Sequence, residues 1–271
     1  MQQAYRAAKI ATDDYEKIKE VLNYVGEMIS SISLENTPPD TGNIIYKKIR
    51  EITEVYDPYK EIKKANINEA LSLYPELKEY IEDSDDRLLT AIRIAIAGNV
   101  IDLGVNKNFN IVDDLKTILK QDFAFCDLEE FKNQLSKTKS ILYLGDNAGE
   151  SVFDKLLIEE LGKPVTYAVR EIPVINDCIF EDAVASGLDK VAEIISSGST
   201  APATILRLCN LEFIDRFENA DLIISKGQGN FEGLSQVSRS VFFMLKAKCP
   251  VIARNLNVKE NDIVLKSINL H

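Results

Sequence analysis

The stretch Ser140-Ile-Leu-Tyr-Leu-Gly-Asp-Asn-Ala-Gly-Glu150 decides the fold of this chain. A run of β-favouring apolar residues leads directly into a turn of glycine and polar residues, and a helix-like stretch follows at residues 151–157. Strand-like runs that end in comparable turns also occur at residues 164–169, 191–195, 221–224 and 250–253. Strands that alternate with helices at this spacing predict an α/β fold with a mostly parallel sheet flanked by helices.

The first half of the chain has a different texture. Residues 1–137 contain only four of the 12 glycines, and their apolar residues recur at helical spacing, as at Ile18, Val21 and Val25. We therefore predict an N-terminal all-α helical domain over residues 1–137 and an α/β domain over residues 138–271.

Charge and hydropathy exclude several classes of partner. The 271 residues include 32 Lys and Arg against 43 Asp and Glu, so the net charge is −11 and offers no basic field for nucleic acid or an anionic membrane. The N-terminus carries no apolar signal stretch, and the longest uncharged run, near residues 94–101, is much shorter than a membrane span. We expect a cytoplasmic enzyme or binding protein with reduced cysteines; the sequence leaves its oligomeric state open.

The available residue types restrict the chemistry. The only histidine is His271, which excludes a Ser-His-Asp triad, histidine acid–base catalysis and histidine-ligated metals. The four cysteines are too widely spaced for a Cys-x-x-Cys pair, which argues against structural zinc. Catalysis would therefore use carboxylates, amides, hydroxyls, lysines or a metal ion.

The turns after the first two predicted strands each carry an Asp next to an Asn. Asp146 and Asn147 follow the first strand, with Glu150 opening the next helix, and Asn176 and Asp177 follow the second strand. A helix cap explains either pair taken singly, but consecutive parallel strands bring their turns together, and capping does not require both pairs. Asp146, Asn147 and Asp177 are thus a candidate ligand set for a divalent cation. Ligand hardness favours Mg²⁺ or Mn²⁺, and carboxylate sites also accept Co²⁺ or Ni²⁺.

The turns after the third and fourth predicted strands have the composition of phosphate-binding turns. Small hydroxyl residues and glycines expose backbone N–H groups that suit a phosphate, and Lys226 supplies a positive charge at a strand end. The candidate substrate contacts in these turns, to which we add Asn176, are Ser197, Gly198, Ser199, Gly229 and Asn230. Taken singly, each turn is more often a capped corner between a strand and a helix.

Two polar residues end an otherwise apolar helix in the N-terminal part. Asn99 and Asp102 are three residues apart, so they share a helix face and can reach together into a crevice between the two domains. The alternative interpretation is a polar helix end that binds nothing.

Taken together and in order, these motifs resemble those of the damage-control phosphatase family. The matching motifs, which extend over nearly the whole chain, are Gly-Asp146-Asn147-Ala-Gly-Glu150, Glu171-x-Pro-x-x-Asn176-Asp177, Ser225-Lys226-Gly-Gln-Gly-Asn230-x-Glu232, Lys248-Cys-Pro-Val-Ile and Ala-Gly-Asn99-x-Ile-Asp102. The resemblance implies an all-α N-terminal part, a Rossmann-like α/β part and metal-dependent hydrolysis of phosphate monoesters, with damaged or surplus sugar phosphates and related metabolites as substrates. It also implies that Asp146, Asn147 and Asp177 bind the metal. Glu150 and Lys226 would lie beside the phosphorylated small-molecule substrate.

The resulting hypothesis is attack on phosphorus by a metal-activated water. Lys226 and the turn at residues 197–200 would hold the remaining phosphoryl oxygens, and Glu150 is a candidate general base. Asp146 as a phosphoryl-accepting nucleophile is disfavoured, because the second aspartate of the haloacid dehalogenase signature Asp-x-Asp is absent. The same sheet could also serve an S-adenosylmethionine-dependent carboxyl methyltransferase, or a phosphometabolite sensor that catalyses nothing.

Overall fold

A seven-stranded sheet forms the centre of the protein in the computed structural model, which describes residues 1–33, 35–98 and 119–270. The strands are β1 (Phe123–Cys126), β2 (Ile141–Leu144), β3 (Val165–Val169), β4 (Glu193–Ser196), β5 (Leu222–Lys226), β6 (Val241–Lys246) and β7 (Ile263–Ile268). The helices are α1 (Gln2–Ala11), α2 (Tyr15–Ile29), α3 (Pro38–Thr53), α4 (Lys60–Glu82), α5 (Arg87–Gly98), α6 (Leu128–Lys137), α7 (Glu150–Leu161), α8 (Phe180–Ala185), α9 (Leu211–Asn219), α10 (Gly227–Leu234) and α11 (Pro250–Leu256).

The strand order confirms the predicted α/β fold with a mostly parallel sheet. Across the sheet the order is β1-β7-β6-β5-β2-β3-β4. The strands from β6 to β4 run parallel to one another, whereas β7 pairs antiparallel with β6 and parallel with β1. Strands β2 to β5 coincide with four predicted runs. Because parallel strands end on the same edge of a sheet, the turns after β2, β3, β5 and β6 share one edge.

The predicted strand at residues 250–253 is wrong, because this segment begins α11. Pro250 occupies the first turn of that helix, where its fixed φ suits helical geometry. Backbone N–H groups in the first turn have no intrahelical acceptor, so the lack of an N–H in proline costs no hydrogen bond there. A four-residue apolar run carries no period that separates a strand from a helix. The strand beside β5 on the side away from β2 is β6, and β7 follows α11 along the chain and pairs antiparallel with β6.

Helices cover both faces of the sheet. On one face α4, α5 and α7 pack in a buried cluster that includes Ile92, Phe153 and Tyr167. On the other face α9, α10 and α11 pack in a cluster that includes Phe213 and Phe243. Each fully buried side chain of this size contributes roughly 1.5–3 kcal/mol. The strands are therefore held firmly, and so are the turns that continue from their ends.

A helical unit formed by α1, α2 and α3 lies over the carboxyl edge of the sheet. Its core includes Val21 and Ile49, and Val174 from the turn after β3 is buried in it. Arg50 of α3 donates a hydrogen bond to the carbonyl of Pro173 in the same turn (2.9 Å). The helical unit thus fixes the turn after β3 from above.

The division of the chain at residue 138 stays a prediction, but residues 1–137 are not helical throughout. Strand β1 lies before the division and pairs with β7, and α4 and α5 share a core with the sheet. The sequence did not predict β1, since three of its four residues are exposed and show no apolar alternation. Asn99 and Asp102 lie outside the described residues. Over the part of the chain that the structure describes, no helix is long and apolar enough to cross a bilayer.

Candidate active site

A cleft of about 570 Å³ lies between the carboxyl edge of the sheet and the helices α1 and α3. The segments after β2, β3, β5 and β6 line it with Asp146, Asn147, Asn176, Asp177, Gln228, Gly229, Glu232 and Lys248. The loop after β4 contributes Pro202, and Gln3 and Tyr46 come from α1 and α3. The structure therefore brings together five residues selected from the sequence, namely Asp146, Asn147, Asn176, Asp177 and Gly229.

The turns after β2 and β3 are hydrogen-bonded to each other. The N–H of Cys178 donates to the carbonyl of Asp146 (2.8 Å). Asn147 and Asp177 form an isolated antiparallel bridge. These backbone contacts hold Asp146, Asn147 and Asp177 side by side, so their relative position does not depend on flexible side chains alone.

The approach of α10 to Asp146 requires a glycine. Gly227 has a φ of 79°, a conformation that side-chain-bearing residues rarely adopt. A Cβ built on Gly227 would lie 1.8 Å from Oδ2 of Asp146. Any other residue at this position would displace the carboxylate from the cleft.

Glu150 and Lys226 lie beneath the cleft and not in its lining. Oε1 of Glu150 accepts a hydrogen bond from Nδ2 of Asn147 (3.3 Å), and its Oε2 lies 3.3 Å from Nζ of Lys226. The same Nζ donates to Oδ1 of Asp154 (2.6 Å) and to the carbonyl of Ala95 (2.8 Å). An ammonium has three N–H donors, and these acceptors use all three. That bonding argues against a direct contact between Lys226 and a substrate.

Burial and a neighbouring carboxylate raise the pKa values of three carboxyl groups near the cleft. Burial raises the pKa of Asp177, and the charge of Asp146 raises it further. Burial also raises the pKa of Glu150, again with a contribution from Asp146. The pKa of Glu232 is raised by burial and by the same neighbouring charge. A cation bound beside Asp146 would relieve this repulsion.

Asn230 is fully buried and is bonded entirely to the protein. Its Oδ1 accepts hydrogen bonds from Nη2 of Arg170 (2.9 Å) and from the N–H of Thr204 (2.7 Å). Its Nδ2 donates to the carbonyls of Gly145 (3.0 Å) and Lys226 (2.9 Å). Since these four bonds use the donors and acceptors of an amide, Asn230 supports the site from within and is poorly suited to contact a substrate.

The turn after β4 uses its polar groups internally. Oγ of Ser199 donates to the carbonyl of Ala203 (2.6 Å), and Oγ of Ser197 accepts from the N–H of Ser199 (3.3 Å). Gly198 has a φ of 77° and packs against Asn210, where a Cβ would lie 2.4 Å from the backbone nitrogen. Ser197, Gly198 and Ser199 thus lie outside the lining of the cleft, although the sequence singled them out as substrate contacts.

Several polar residues that sequence reasoning did not select complete the site, among them Gln228 and Glu232 of α10. Lys248, which the sequence did not distinguish from an ordinary surface lysine, lines the cleft, and Gln3 and Tyr46 lie on its far side. Arg170 donates from Nε to Oδ2 of Asp177 (2.8 Å). For two of these residues the sequence did contain a signal. Lys248 is the first residue of a motif that resembles the family's, and Arg170 directly follows a predicted strand. Nothing in the sequence relates α1 or α3 to the cleft.

The residues at the cleft fit a hard divalent cation. Among the described residues, no three Asp, Glu, Cys or His side chains cluster so that they could hold a metal by themselves. The carboxylates of Asp146 and Asp177 are, however, accompanied by the amide of Asn147. Because Nδ2 of this amide donates to Glu150, its Oδ1 is the atom available to a cation. Two carboxylates and one amide oxygen are donors of the kind that Mg²⁺ and Mn²⁺ prefer.

Known proteins share both the sequence and the fold of this chain. The family model described as the damage-control phosphatase ARMT1-like domain matches residues 1–264. The chain belongs to this family. A crystal structure of a DUF89 family protein from Pyrococcus horikoshii has a TM-score of 0.87 to this fold at 32% sequence identity, covering 97% of this chain and 94% of that one.

Several archaeal relatives match this member of the family over almost its whole length. A damage-control phosphatase of Archaeoglobus fulgidus is 36% identical over 97% of this chain and 94% of its own. A damage-control phosphatase of Pyrococcus horikoshii is 34% identical over 97% of this chain and 93% of its own. An uncharacterized protein of Methanocaldococcus jannaschii is 34% identical over 98% of this chain and 91% of its own.

Proposed function

We propose that this chain is a metal-dependent phosphatase that hydrolyses phosphate monoesters of small metabolites. The observation that carries the proposal is the convergence of Asp146, Asn147 and Asp177 on one cleft that Lys248 also lines. Relatives that match almost the whole chain are named damage-control phosphatases, which supports the same reaction class.

Asp146, Asn147 and Asp177 would hold the cation. Their oxygen donors favour Mg²⁺ or Mn²⁺, with Co²⁺ and Ni²⁺ as further candidates. When bound, such a cation polarises a phosphoryl oxygen and lowers the pKa of the water that attacks phosphorus. Glu150 supports this arrangement, because its hydrogen bond to Nδ2 of Asn147 fixes the orientation of the amide. We therefore assign Glu150 a positioning role and not that of a general base.

Residues of the chain itself would bind the phosphate and transfer the proton. Lys248 is an exposed lysine of the cleft lining, and its ammonium can pair with phosphoryl oxygens. Gln228 and Gly229 lie in the first turn of α10, whose N–H groups lack intrahelical acceptors and suit an anion. We assign to Glu232 the transfer of a proton from the attacking water to the oxygen of the leaving alcohol. Glu232 lines the cleft, and its Oε1 accepts a hydrogen bond from Nε2 of Gln228 (2.9 Å). Burial raises the pKa of Glu232 above its ordinary value, and a higher pKa makes a carboxylate a stronger base.

The cleft suits small phosphorylated metabolites. Its volume is about 570 Å³, and Gln3 and Asn176 present neutral polar groups to a hydroxyl-rich molecule. Sugar phosphates, including damaged or surplus ones, are therefore the proposed substrates. A cytoplasmic location, where thiols stay reduced, suits the four free cysteines.

Phosphate release tests the proposal directly. We expect the purified protein to release phosphate from p-nitrophenyl phosphate and from a panel of sugar phosphates in Mg²⁺ or Mn²⁺. EDTA should stop release, and added metal should restore it. Release that is unchanged by EDTA would contradict the metal dependence. Binding of sugar phosphates without release would support the sensor, and binding of S-adenosylmethionine without release would support the methyltransferase.

A further inference from the structure

Arg170 is a buried cation that contacts both carboxylates of the proposed ligand set. Its side chain is 1% exposed, and its Nε donates to Oδ2 of Asp177 (2.8 Å). Nη1 donates to Oγ1 of Thr204 (3.1 Å), and Nη2 donates to Oδ1 of Asn230 (2.9 Å). Nη2 also lies 3.9 Å from Oδ1 of Asp146. Each of the three nitrogens of the planar guanidinium thus donates a hydrogen bond to a protein side chain.

The partners of Arg170 are themselves fixed to the sheet. The amide of Asn230 donates to the carbonyl of Gly145 at the end of β2 and to that of Lys226 at the end of β5. Its Oδ1 accepts from the N–H of Thr204 as well as from Arg170. Arg170, Asp177, Thr204 and Asn230, which we call the Arg170 cluster, therefore join the turn after β3 to the ends of two neighbouring strands.

We propose that Arg170 is a positioning residue that fixes the Asp177 carboxylate for cation binding. Arg170 donates a hydrogen bond to Oδ2 of Asp177. The other oxygen of this carboxylate, Oδ1, would then face the cation that Asp146 and Asn147 share. This inference rests on the cation site of the proposed function. The planar arginine fork makes several hydrogen bonds in fixed directions, which the point charge of a lysine cannot reproduce. Residues that orient a metal ligand in this way commonly change metal affinity about 10–100-fold when replaced.

A different role for Arg170 would be charge balance alone. The guanidinium would then only offset two neighbouring carboxylates, and any cation at this position would do equally well. The two roles predict opposite results for two substitutions. Arg170→Lys keeps the charge and loses the fork, whereas Arg170→Gln loses both.

Mn²⁺ binding to the metal-free full-length protein separates these roles without relying on activity. Calorimetric titration should show that Arg170→Lys weakens Mn²⁺ binding about 10–100-fold and that Arg170→Gln does not bind more tightly than wild type. Thr204→Val removes only the hydroxyl that accepts from Nη1, so it should weaken Mn²⁺ binding less, in the same direction. Arg216→Lys is the matched control, because Arg216 forms a two-bonded pair with Glu193 at the surface and should leave affinity unchanged.

Each result has a defined consequence. Wild-type affinity in Arg170→Lys together with tighter binding in Arg170→Gln would show charge balance alone and overturn the positioning role. Circular dichroism and thermal unfolding report whether the variants fold, and if Arg170→Lys does not, Thr204→Val decides: wild-type affinity there overturns the role. A wild-type protein that binds no Mn²⁺ but releases phosphate would contradict the cation site, and this inference with it. Mn²⁺ binding without phosphate release would contradict the proposed reaction. The Mn²⁺ affinities of the variants would still decide the positioning role of Arg170.

Discussion

Two sets of polar side chains lie at the carboxyl edge of the sheet and differ in what they contact. The cleft set, which lines the cleft, consists of Asp146, Asn147, Asp177, Glu232 and Lys248. The buried set, which lies beneath and bonds to the protein, consists of Glu150, Asp154, Arg170, Lys226 and Asn230. Each set contains carboxylates, an amide and at least one basic side chain. Residue type therefore does not separate the groups that can meet a substrate from the groups that hold the site together.

The two lysines of these sets show the physical basis of the difference. Lys226 has no exposed surface and bonds to Glu150 and Asp154, whereas Lys248 is exposed in the cleft. Burial lowers the pKa of Lys226, but its two carboxylate partners outweigh this and raise the pKa above its ordinary value. Lys226 thus stays charged as an internal ion, and its contribution is to stability. Substitutions in the two sets should accordingly separate activity from stability.

The largest expected effect lies in the cleft set, at Asp177. Asp177→Asn removes one ligand charge but keeps the shape of the side chain and an acceptor for Arg170, so the fold should persist. We expect metal-dependent phosphate release to fall by more than about 100-fold. Replacing a residue that only supports a metal ligand commonly costs about 10–100-fold, and loss of a ligand itself should cost more. Steady-state release at increasing Mn²⁺ measures the loss, with the exposed Asp189→Asn as control. Turnover equal to that of wild type would remove Asp177 from the ligand set.

The next largest effect is expected in the buried set, on stability. Lys226→Met leaves two buried carboxylates, those of Glu150 and Asp154, without their cation. Breaking a buried ion pair in this way costs about 3–5 kcal/mol. Urea unfolding followed by circular dichroism should show this loss, whereas the exposed Lys139→Met should unfold as wild type does. Lys226 would belong to the cleft set instead if its variant kept wild-type stability and lost substrate affinity.

Replacement of the proposed proton acceptor should reduce turnover while leaving stability near that of wild type. Glu232→Gln keeps the shape of the side chain and removes its basicity, and we expect kcat to fall about 100-fold. The raised pKa of Glu232 means that the wild-type carboxylate is protonated, and the rate lost, as pH falls through that pKa. The acid limb of the kcat/KM profile should therefore disappear in Glu232→Gln. The exposed Glu212→Gln serves as control, and an unchanged acid limb would assign the proton transfer elsewhere.

A smaller effect is expected for the exposed lysine of the cleft set. Lys248→Gln should raise KM for a sugar phosphate about tenfold, which corresponds to about 1.4 kcal/mol. Its effect on kcat should be slight, because a contact with phosphate that is equal in the ground state and the transition state lowers KM without changing kcat. Steady-state kinetics at two salt concentrations measures both parameters, with Lys259→Gln as a surface control. An unchanged KM would show that Lys248 does not bind the phosphate.

The sequence predicted the parts of this site that follow directly from strand order. Asp146 lies in the turn directly after β2, and Asp177 lies in the longer segment that connects β3 to α8, so parallel strands bring both to one edge. The role of Arg170 could not be predicted in the same way, because its hydrogen bonds reach residues 7, 34 and 60 positions away. The same limit applies to Tyr46, whose place in the cleft depends on how α3 packs over the sheet. Local patterns identify strands and the turns after them, whereas hydrogen-bond partners are set by tertiary packing.

The smallest expected effect on catalysis lies at Ser199, where the sequence indicated a phosphate contact and the structure shows an internal bond. Ser199→Ala removes the hydroxyl that donates to the carbonyl of Ala203, so the free energy of unfolding should fall by about 1 kcal/mol. KM should remain at its wild-type value, because the side chain is buried away from the cleft. Urea unfolding and steady-state kinetics on the same preparation measure both quantities. A KM that rises as in Lys248→Gln, with unchanged stability, would restore Ser199 as a substrate contact and require the turn after β4 to open towards the cleft.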